Sequence, residues 1–328
     1  VVPGFRHHAG NHCGSTALRN LLAFHGVELS EDMAFGLGAG ACFYFVAVPG
    51  QSPSRFTNGR TSRLEEQFVE LTGAPLELRT FDNPDSSWEA ARDAVDSGAP
   101  ALLLTDLYYL DHYGKSAHFP GHAVVLAGYD DDSALLADTA FEDLQRTSLA
   151  SLREARHSAH PIFPLSGHML VASESLDCFD PRQAAPEAIR LASSRMFDPT
   201  LGEYEGLPAL RRFAEEVASW PEILDDWAWC ARFGYQVIER RGTGGSNFRR
   251  MYARFLAECA AAGLASVGEA LLLADEAAEA WTSLAESLRV ASEGREPDPA
   301  AWEEIGARAN GVLAREERLW LRLAEAVG

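Results

Sequence analysis

The apolar pattern of this chain changes period near residue 175, and no other feature limits so strongly what it can fold into. Before that point, apolar runs of strand length cover Cys42 to Val48, Leu76 to Phe81, Ala101 to Thr105, His122 to Tyr129, Ala134 to Thr139 and His168 to Ala172. They alternate with helical spacing over Ser15 to His25, Arg63 to Thr72 and Ser86 to Ser97. After Asp180 only helical spacing remains, punctuated by Pro181, Pro186, Pro199, Pro221, Pro297 and Pro299. Its last two segments, Ser266 to Ser292 and Asp298 to Ala326, are long enough to pair as an antiparallel helical hairpin. The pattern predicts an α+β domain over 1–175 and an all-helical domain over 176–328. With 328 residues there is apolar material for one large or two ordinary cores.

Charge and cysteine usage narrow the function classes. Twenty-eight Lys and Arg against 48 Asp and Glu give a net charge of −20, a field that repels polyphosphate and favours cationic partners. Nucleic acid is therefore not an expected ligand. The five cysteines, Cys13, Cys42, Cys178, Cys230 and Cys259, form no CxxC pair, which fits neither a disulfide framework nor a zinc knuckle. A reducing, cytoplasmic setting is the expectation. No apolar run of membrane-spanning length and no basic segment followed by an apolar stretch appears, so neither a membrane span nor a secretory signal is expected. Oligomeric state is left open.

Residues 7 to 22 read HHAGNHCGSTALRNLL. Leu18, Leu21 and Leu22 recur at helical spacing, so one face is buried and Cys13 falls in the first turn. Free amides and the dipole at a helix start favour a thiolate, as does a neighbouring imidazole. Cys13 is then either a nucleophile or a small buried residue. A metal site from His7, His8, His12 and Cys13 is not expected, because adjacent side chains on a short irregular segment rarely converge on one ion.

A second stretch, PGHAVVLAGYDDDSALLADTAF at 120–141, favours the nucleophile. A cysteine site needs an imidazole base and a group to orient it. His122 opens one predicted strand and Asp138 ends the next. A turn centred on Asp130 places the two opposite each other. A turn centred between Asp131 and Asp132 pairs His122 with Phe141 instead and leaves Asp138 roughly 10 Å away along the strand. The triad Cys13, His122 and Asp138 thus requires the earlier turn or a bulge. His118, His112 and His168 are the alternative bases.

These motifs carry a resemblance. Cys13 with HCGSTALRNLL, followed much later by GHAVVLAGYD and Asp138, resembles papain-like cysteine peptidases that remove double-glycine leaders. It is more closely similar to the butirosin biosynthesis protein H family, whose glycine-rich FGLG segment is matched at 35–40. That family's glycine-rich turn before Phe-Arg and Tyr is matched by GTGGSNFRRMY at 242–252. The resemblance implies a papain-like cysteine-protease fold followed by an all-helical C-terminal domain. It implies an acyltransferase of antibiotic biosynthesis that moves an acyl group from a carrier-protein thioester to an amine. No cofactor beyond the donor's phosphopantetheine arm is implied. One departure concerns the oxyanion hole: leader peptidases carry Gln six positions before the cysteine, where this chain has His7.

His7 and Asn11, with the Cys13 amide, are therefore the candidate oxyanion donors. The FGLGAG run offers Gly38 and Gly40 for close approach of a ligand, or eases a helix exit before the strand at Cys42. Gly244, Gly245, Ser246, Arg249 and Arg250 are candidates for docking a carrier or its phosphate. Their alternative reading is a Gly C-cap followed by a Ser N-cap. Arg240, Arg241, Arg211 and Arg212 extend the possible docking patch. Two further function classes stand beside the acyltransferase: a cysteine peptidase or amidase of the leader-peptidase type, and a catalytically silent binding protein.

Overall fold

The structure is a computed structural model that describes residues 1–161 and 163–328. In chain order the elements are α1 (Cys13–Phe24), α2 (Glu31–Leu37), β1 (Ala41–Ala47), β2 (Arg55–Arg60), α3 (Leu64–Thr72), β3 (Leu76–Arg79) and α4 (Pro84–Asp96). Then come β4 (Ala101–Asp106), β5 (Pro120–Tyr129), β6 (Ser133–Ala137), β7 (Gln145–Ser148), α5 (Leu149–Arg156) and β8 (Met169–Ala172). The remainder is helical: α6 (Ala185–Phe197), α7 (Gly206–Glu216), α8 (Trp220–Ile223), α9 (Trp227–Glu239), α10 (Arg249–Ala261), α11 (Gly268–Ser292) and α12 (Pro299–Val327). A sheet-bearing N-terminal region followed by a helical C-terminal region is the α+β fold that the pattern predicts. Among the described residues no helix is long and apolar enough to cross a membrane.

Contacts divide the chain into two compact units, one of residues 1–34 and 64–181, the other of 35–63 and 182–328. This differs from the linear division at 175. The hairpin β1–β2 belongs with the helices because Phe43 and Phe45 pack edge-on against Phe213, and Phe43 also meets Trp281. Period-two reading places the strand correctly and is silent about which core receives it.

The first unit is built on an antiparallel six-stranded sheet in the order β3-β8-β4-β5-β6-β7. One face carries Leu103, Val124, Leu126 and Leu136 against Ala91 of α4 and Leu152 and Ala155 of α5. Helix α1 packs on β5 and β4. Its Leu18, Leu21 and Leu22 are fully buried, each worth roughly 1.5–3 kcal/mol of transfer free energy. The helix that begins at Cys13 is thus anchored along its length. In the second unit α11 and α12 form the long hairpin expected of residues 266–326 and pack against α9, α10, α6 and α7.

Candidate active site

Cys13 is placed by the loop before it. His12 is the N-cap of α1, in extended conformation, and its Nδ1 accepts the Ser15 amide at 3.3 Å. The carboxylate of Glu31, on α2, accepts the backbone amides of Asn11 at 2.9 Å and His12 at 2.7 Å, together with the Thr16 hydroxyl at 3.1 Å. From α1 itself, Asn20 Nδ2 donates to His8 O at 3.1 Å and Arg19 donates to the carbonyls of His8 and Ala9. A Cβ on Gly14 would sit 2.3 Å from Glu65 Oε1 and 3.0 Å from Leu64 Cδ2, so the side chains of α3 close directly over this glycine. The Gly, Arg and Asn of the HCGSTALRNLL motif therefore fix the backbone on either side of the sulfur. His7 and Asn11 share that task. His7 Nε2 donates to Phe141 O at 2.7 Å while its Nδ1 accepts Asn20 Nδ2 at 3.2 Å, and Asn11 Nδ2 donates to Glu31 at 3.1 Å.

His122 and Asp138 meet although the hairpin uses the later turn. Tyr129 pairs with Ala134 and Gly128 with Leu135, the register of a turn centred between Asp131 and Asp132. A bulge between Leu126 and Gly128 then shifts the pairing by one residue, so that Val125 faces Ala137. β6 ends at Ala137, and Asp138 lies where the chain leaves the strand. There His122 Nε2 donates to Asp138 Oδ2 at 2.9 Å. The ring's other nitrogen is left for Cys13, with which His122 shares a side-chain hydrogen bond. Helix start, strand start and strand end thus bring the three residues into one contiguous set.

Two neighbours that period reading could not place complete it. His112 Nε2 donates to the same Asp138 oxygen at 3.0 Å while its Nδ1 accepts the Thr147 hydroxyl at 3.1 Å. The Tyr113 hydroxyl donates to Asp138 Oδ1 at 3.0 Å, and its ring stands edge-on to His122 at 5.7 Å. Both lie in a single 3-10 turn, Asp111–Tyr113, too short for a periodic signal. His118 instead bonds the buried Asp106 at 2.7 Å and stacks on Tyr108, while His168 Nδ1 accepts the Ser166 amide.

The electrostatics follow from burial and these contacts. Burial alone lowers the His122 basicity, but the Asp138 carboxylate and the Cys13 sulfur reverse the sign and hold the imidazole up at about 10. Burial opposes ionisation of Asp138, yet His122 and His112 hold its carboxyl well below the usual carboxylate range. Both shifts favour an imidazolium beside the Asp138 carboxylate. Burial also pushes the Tyr113 hydroxyl upward, with Asp138 and Cys13 adding to the shift, so it stays a donor.

The glycine-rich motifs lie in the second unit, where packing accounts for their composition. Phe35 stacks on Phe248 at 5.4 Å, joining the FGLGAG and GTGGSNF segments. A Cβ on Gly40 would sit 2.6 Å from the Phe35 ring, and Gly38 is likewise buried, ahead of β1 as the helix-exit reading expects. Ser246, Asn247 and Phe248 all have positive φ, a strained run. The Ser246 hydroxyl pairs with that of Thr282 at 2.8 Å, and the Ser246 amide donates to Glu239 at 3.1 Å. The docking assignment of Ser246 and Arg249 is corrected by burial: they are 0% and 1% exposed. Arg249 is committed to Glu316 at 2.7 Å and to the carbonyls of Cys42, Gly59 and Asn247. Gly244 and Gly245 are half-buried, and Arg250 is exposed.

Comparison with known families returns two matches. Residues 12–139 match a family described as butirosin biosynthesis protein H, N-terminal, and residues 150–323 match a domain of unknown function, DUF4872. The chain thus joins a butirosin biosynthesis protein H-type N-terminal domain to a DUF4872 domain, and belongs to the family of the latter. The first match spans Cys13, His122 and Asp138; the second begins in α5 and takes in most of the helical region. A comparison with curated proteins finds no match.

Proposed function

We propose that this chain is a cysteine-dependent N-acyltransferase of antibiotic or related secondary-metabolite assembly, which moves an acyl group from a thioester through Cys13 to an amine. The observation that carries the proposal is the contiguous set of Cys13 at a helix start, the His122 ring and the buried Asp138 carboxylate. The description of the N-terminal family supports the biosynthetic setting.

The chemistry balances without a resident cofactor or metal. Cys13 thiolate adds to the thioester carbonyl, and the oxyanion forms against the Cys13 amide at the positive end of α1. Collapse expels the donor thiolate, a phosphopantetheine thiol where the donor is an acyl carrier protein, and His122 protonates it. The acceptor amine then adds to acyl-Cys13, neutral His122 takes its proton, and collapse forms the amide and releases Cys13 thiolate. Asp138, held by His112 and Tyr113, fixes the ring orientation through both steps. Carrier docking falls to the exposed Arg240, Arg241 and Arg250 rather than to Arg249.

Intact mass after exposure to a panel of acyl-thioesters tests this. The expected result is an increment on Cys13, absent in Cys13→Ala, that an amine discharges as amide faster than water discharges it as acid. Discharge by water at the same rate with or without amine would make the chain a hydrolase. Absence of any increment across carrier-bound donors would leave a binding protein.

A further inference from the structure

A second histidine–carboxylate pair stands at the same end of the sheet as the first. Asp106 closes β4 and is fully buried. It accepts the Ser158 hydroxyl at 2.7 Å and the backbone amides of Phe119 at 2.9 Å and Tyr108 at 3.2 Å, so its carboxylate is held independently of any histidine. Burial opposes its ionisation, yet His118, Ser158 and the two amides keep its carboxyl below the ordinary value. His118 Nδ1 therefore donates to Asp106 Oδ2, at 2.7 Å, and the neutral ring keeps its lone pair on Nε2.

Unlike His122, this imidazole is open to solvent: its side chain is 37% exposed, where that of His122 is 7%. It is nonetheless fixed. The ring stacks on Tyr108 at 4.0 Å and on His160 at 5.0 Å, and Tyr109 stands edge-on at 5.8 Å. Fixing an exposed side chain costs rotamer freedom, and Asp106 already has three other donors, so partnering the carboxylate does not account for the arrangement. Position ties the pair to the acyl-transfer site. In the β4–β5 register Asp106 faces Pro120 and Thr105 faces His122, and the exposed Phe119, adjoining His118, has its ring 6.5 Å from that of His122.

We propose that His118 is a second catalytic base that serves the acceptor, its Nε2 taking one proton from an alkylammonium before the amine reaches acyl-Cys13; the role rests on the acyl-transfer reading. An alkylamine, like a lysine side chain, arrives protonated at neutral pH and has no lone pair with which to attack. Amide formation removes two protons from it, one ahead of addition and one from the nitrogen of the adduct. His122, having given its own proton to the departing donor thiol, can take only the second. His118 takes the first and passes it to water, so the protons balance without a further reactant. Of the groups set around the ring, Asp106, Tyr108, Tyr109 and His160, the Asp106 carboxylate is the anion that stabilises the resulting imidazolium.

Discharge of acyl-Cys13 by two amines of matched size tests the proposal, followed by intact mass on the full chain at neutral pH. Propylamine is protonated there and O-ethylhydroxylamine is not. In His118→Ala, propylamine discharge should fall on the order of 10²-fold and recover in part with added imidazole. Loading of Cys13 by the thioester and discharge by O-ethylhydroxylamine should stay within about threefold of the parent, which also reports an intact Cys13 site. A propylamine loss below about tenfold, an equal loss with both amines, lost loading, or no recovery with imidazole would each overturn the role of His118. Failure of the parent itself to load, or discharge of its acyl-enzyme by water alone, would instead defeat the acyl-transfer reading and this role with it.

Discussion

Replacing Arg249 by Met should unfold the second unit at a markedly lower temperature rather than impair carrier docking. Its guanidinium meets the Glu316 carboxylate with Nε at 2.7 Å and the second terminal nitrogen at 3.1 Å, and both side chains are buried. Removing one partner of such a pair costs about 3–5 kcal/mol, because the other charge stays behind without compensation. Trp281 and Trp320 still donate to Glu316, each at 2.6 Å, which places the loss toward the lower end. The freed carbonyls of Cys42, Gly59 and Asn247 add roughly 0.5–1.5 kcal/mol apiece where water cannot reach them. At about 2–4 °C per kcal/mol the melting temperature falls on the order of 10 °C. Adding Glu316→Leu should recover much of it, since an apolar pair of similar volume is often no worse than a buried ion pair. Thermal unfolding by circular dichroism reads all of this, with exposed Arg250→Glu as the control that moves little. A melting temperature for Arg249→Met within about 2 °C of the parent would refute the reasoning.

Three further outcomes follow from the same geometry. His122→Ala should abolish acyl transfer, Asp138→Asn should lower turnover on the order of 10²- to 10⁴-fold, and His112→Ala should weaken it less, as single-turnover kinetics would read. Stability should carry a pH signature from the pair. His122 is raised from 6.5 to about 10, so its contribution is full below about pH 6.5 and lost as pH rises toward 10, while depressed Asp138 contributes above the usual carboxylate range and loses this as pH falls. Melting curves of Asp138→Asn should lack the alkaline decline, and an unchanged decline would break the assignment. In a Cys178→Ser background, which removes the exposed thiol, iodoacetamide at neutral pH should label Cys13 and spare Cys42, Cys230 and Cys259, as peptide mass mapping would report.

The secondary structure that repeats over many residues was legible in the sequence, and the pieces too short to repeat were not. Helices α1, α4, α11 and α12 and strands β4, β5 and β6 fall within a few residues of their expected spans. β2 (RFTNGR) and β7 (QRTS) escape because their alternation is polar on both sides, and α5 escapes because its eight residues sit directly after β7. Cys13, His122 and Asp138 were readable as residue types at element ends. Their convergence was not, since it depends on a one-residue bulge between Leu126 and Gly128 and on where β6 stops. Arg249 misled for a related reason: an arginine beside a glycine-rich turn has the same sequence whether it faces a phosphate or a buried glutamate 67 positions away.

Environment, rather than cysteine itself, separates Cys13 from the other four. Burial pushes Cys42 and Cys259 up to about 12 and raises Cys230, with neighbouring carboxylates adding to each shift, so all three stay thiols. Cys178 is exposed, on a turn outside any helix. Cys13 alone combines a helix start with a bonded imidazole whose far nitrogen is held by a carboxylate. Because that carboxylate also accepts His112 and Tyr113, its position does not depend on His122. In the proposed acyl transfer the ring can therefore release its proton to a leaving thiol and regain one from an amine without Asp138 swinging away. A relay that cycles through two proton transfers needs such a fixed anchor, and it serves an amine and a water equally well. The choice between transfer and hydrolysis then rests on what reaches acyl-Cys13 first. The amine-dependent discharge of that acyl-enzyme is the measurement that decides it, because it compares the two nucleophiles on one covalent intermediate with donor, carrier and docking already out of play.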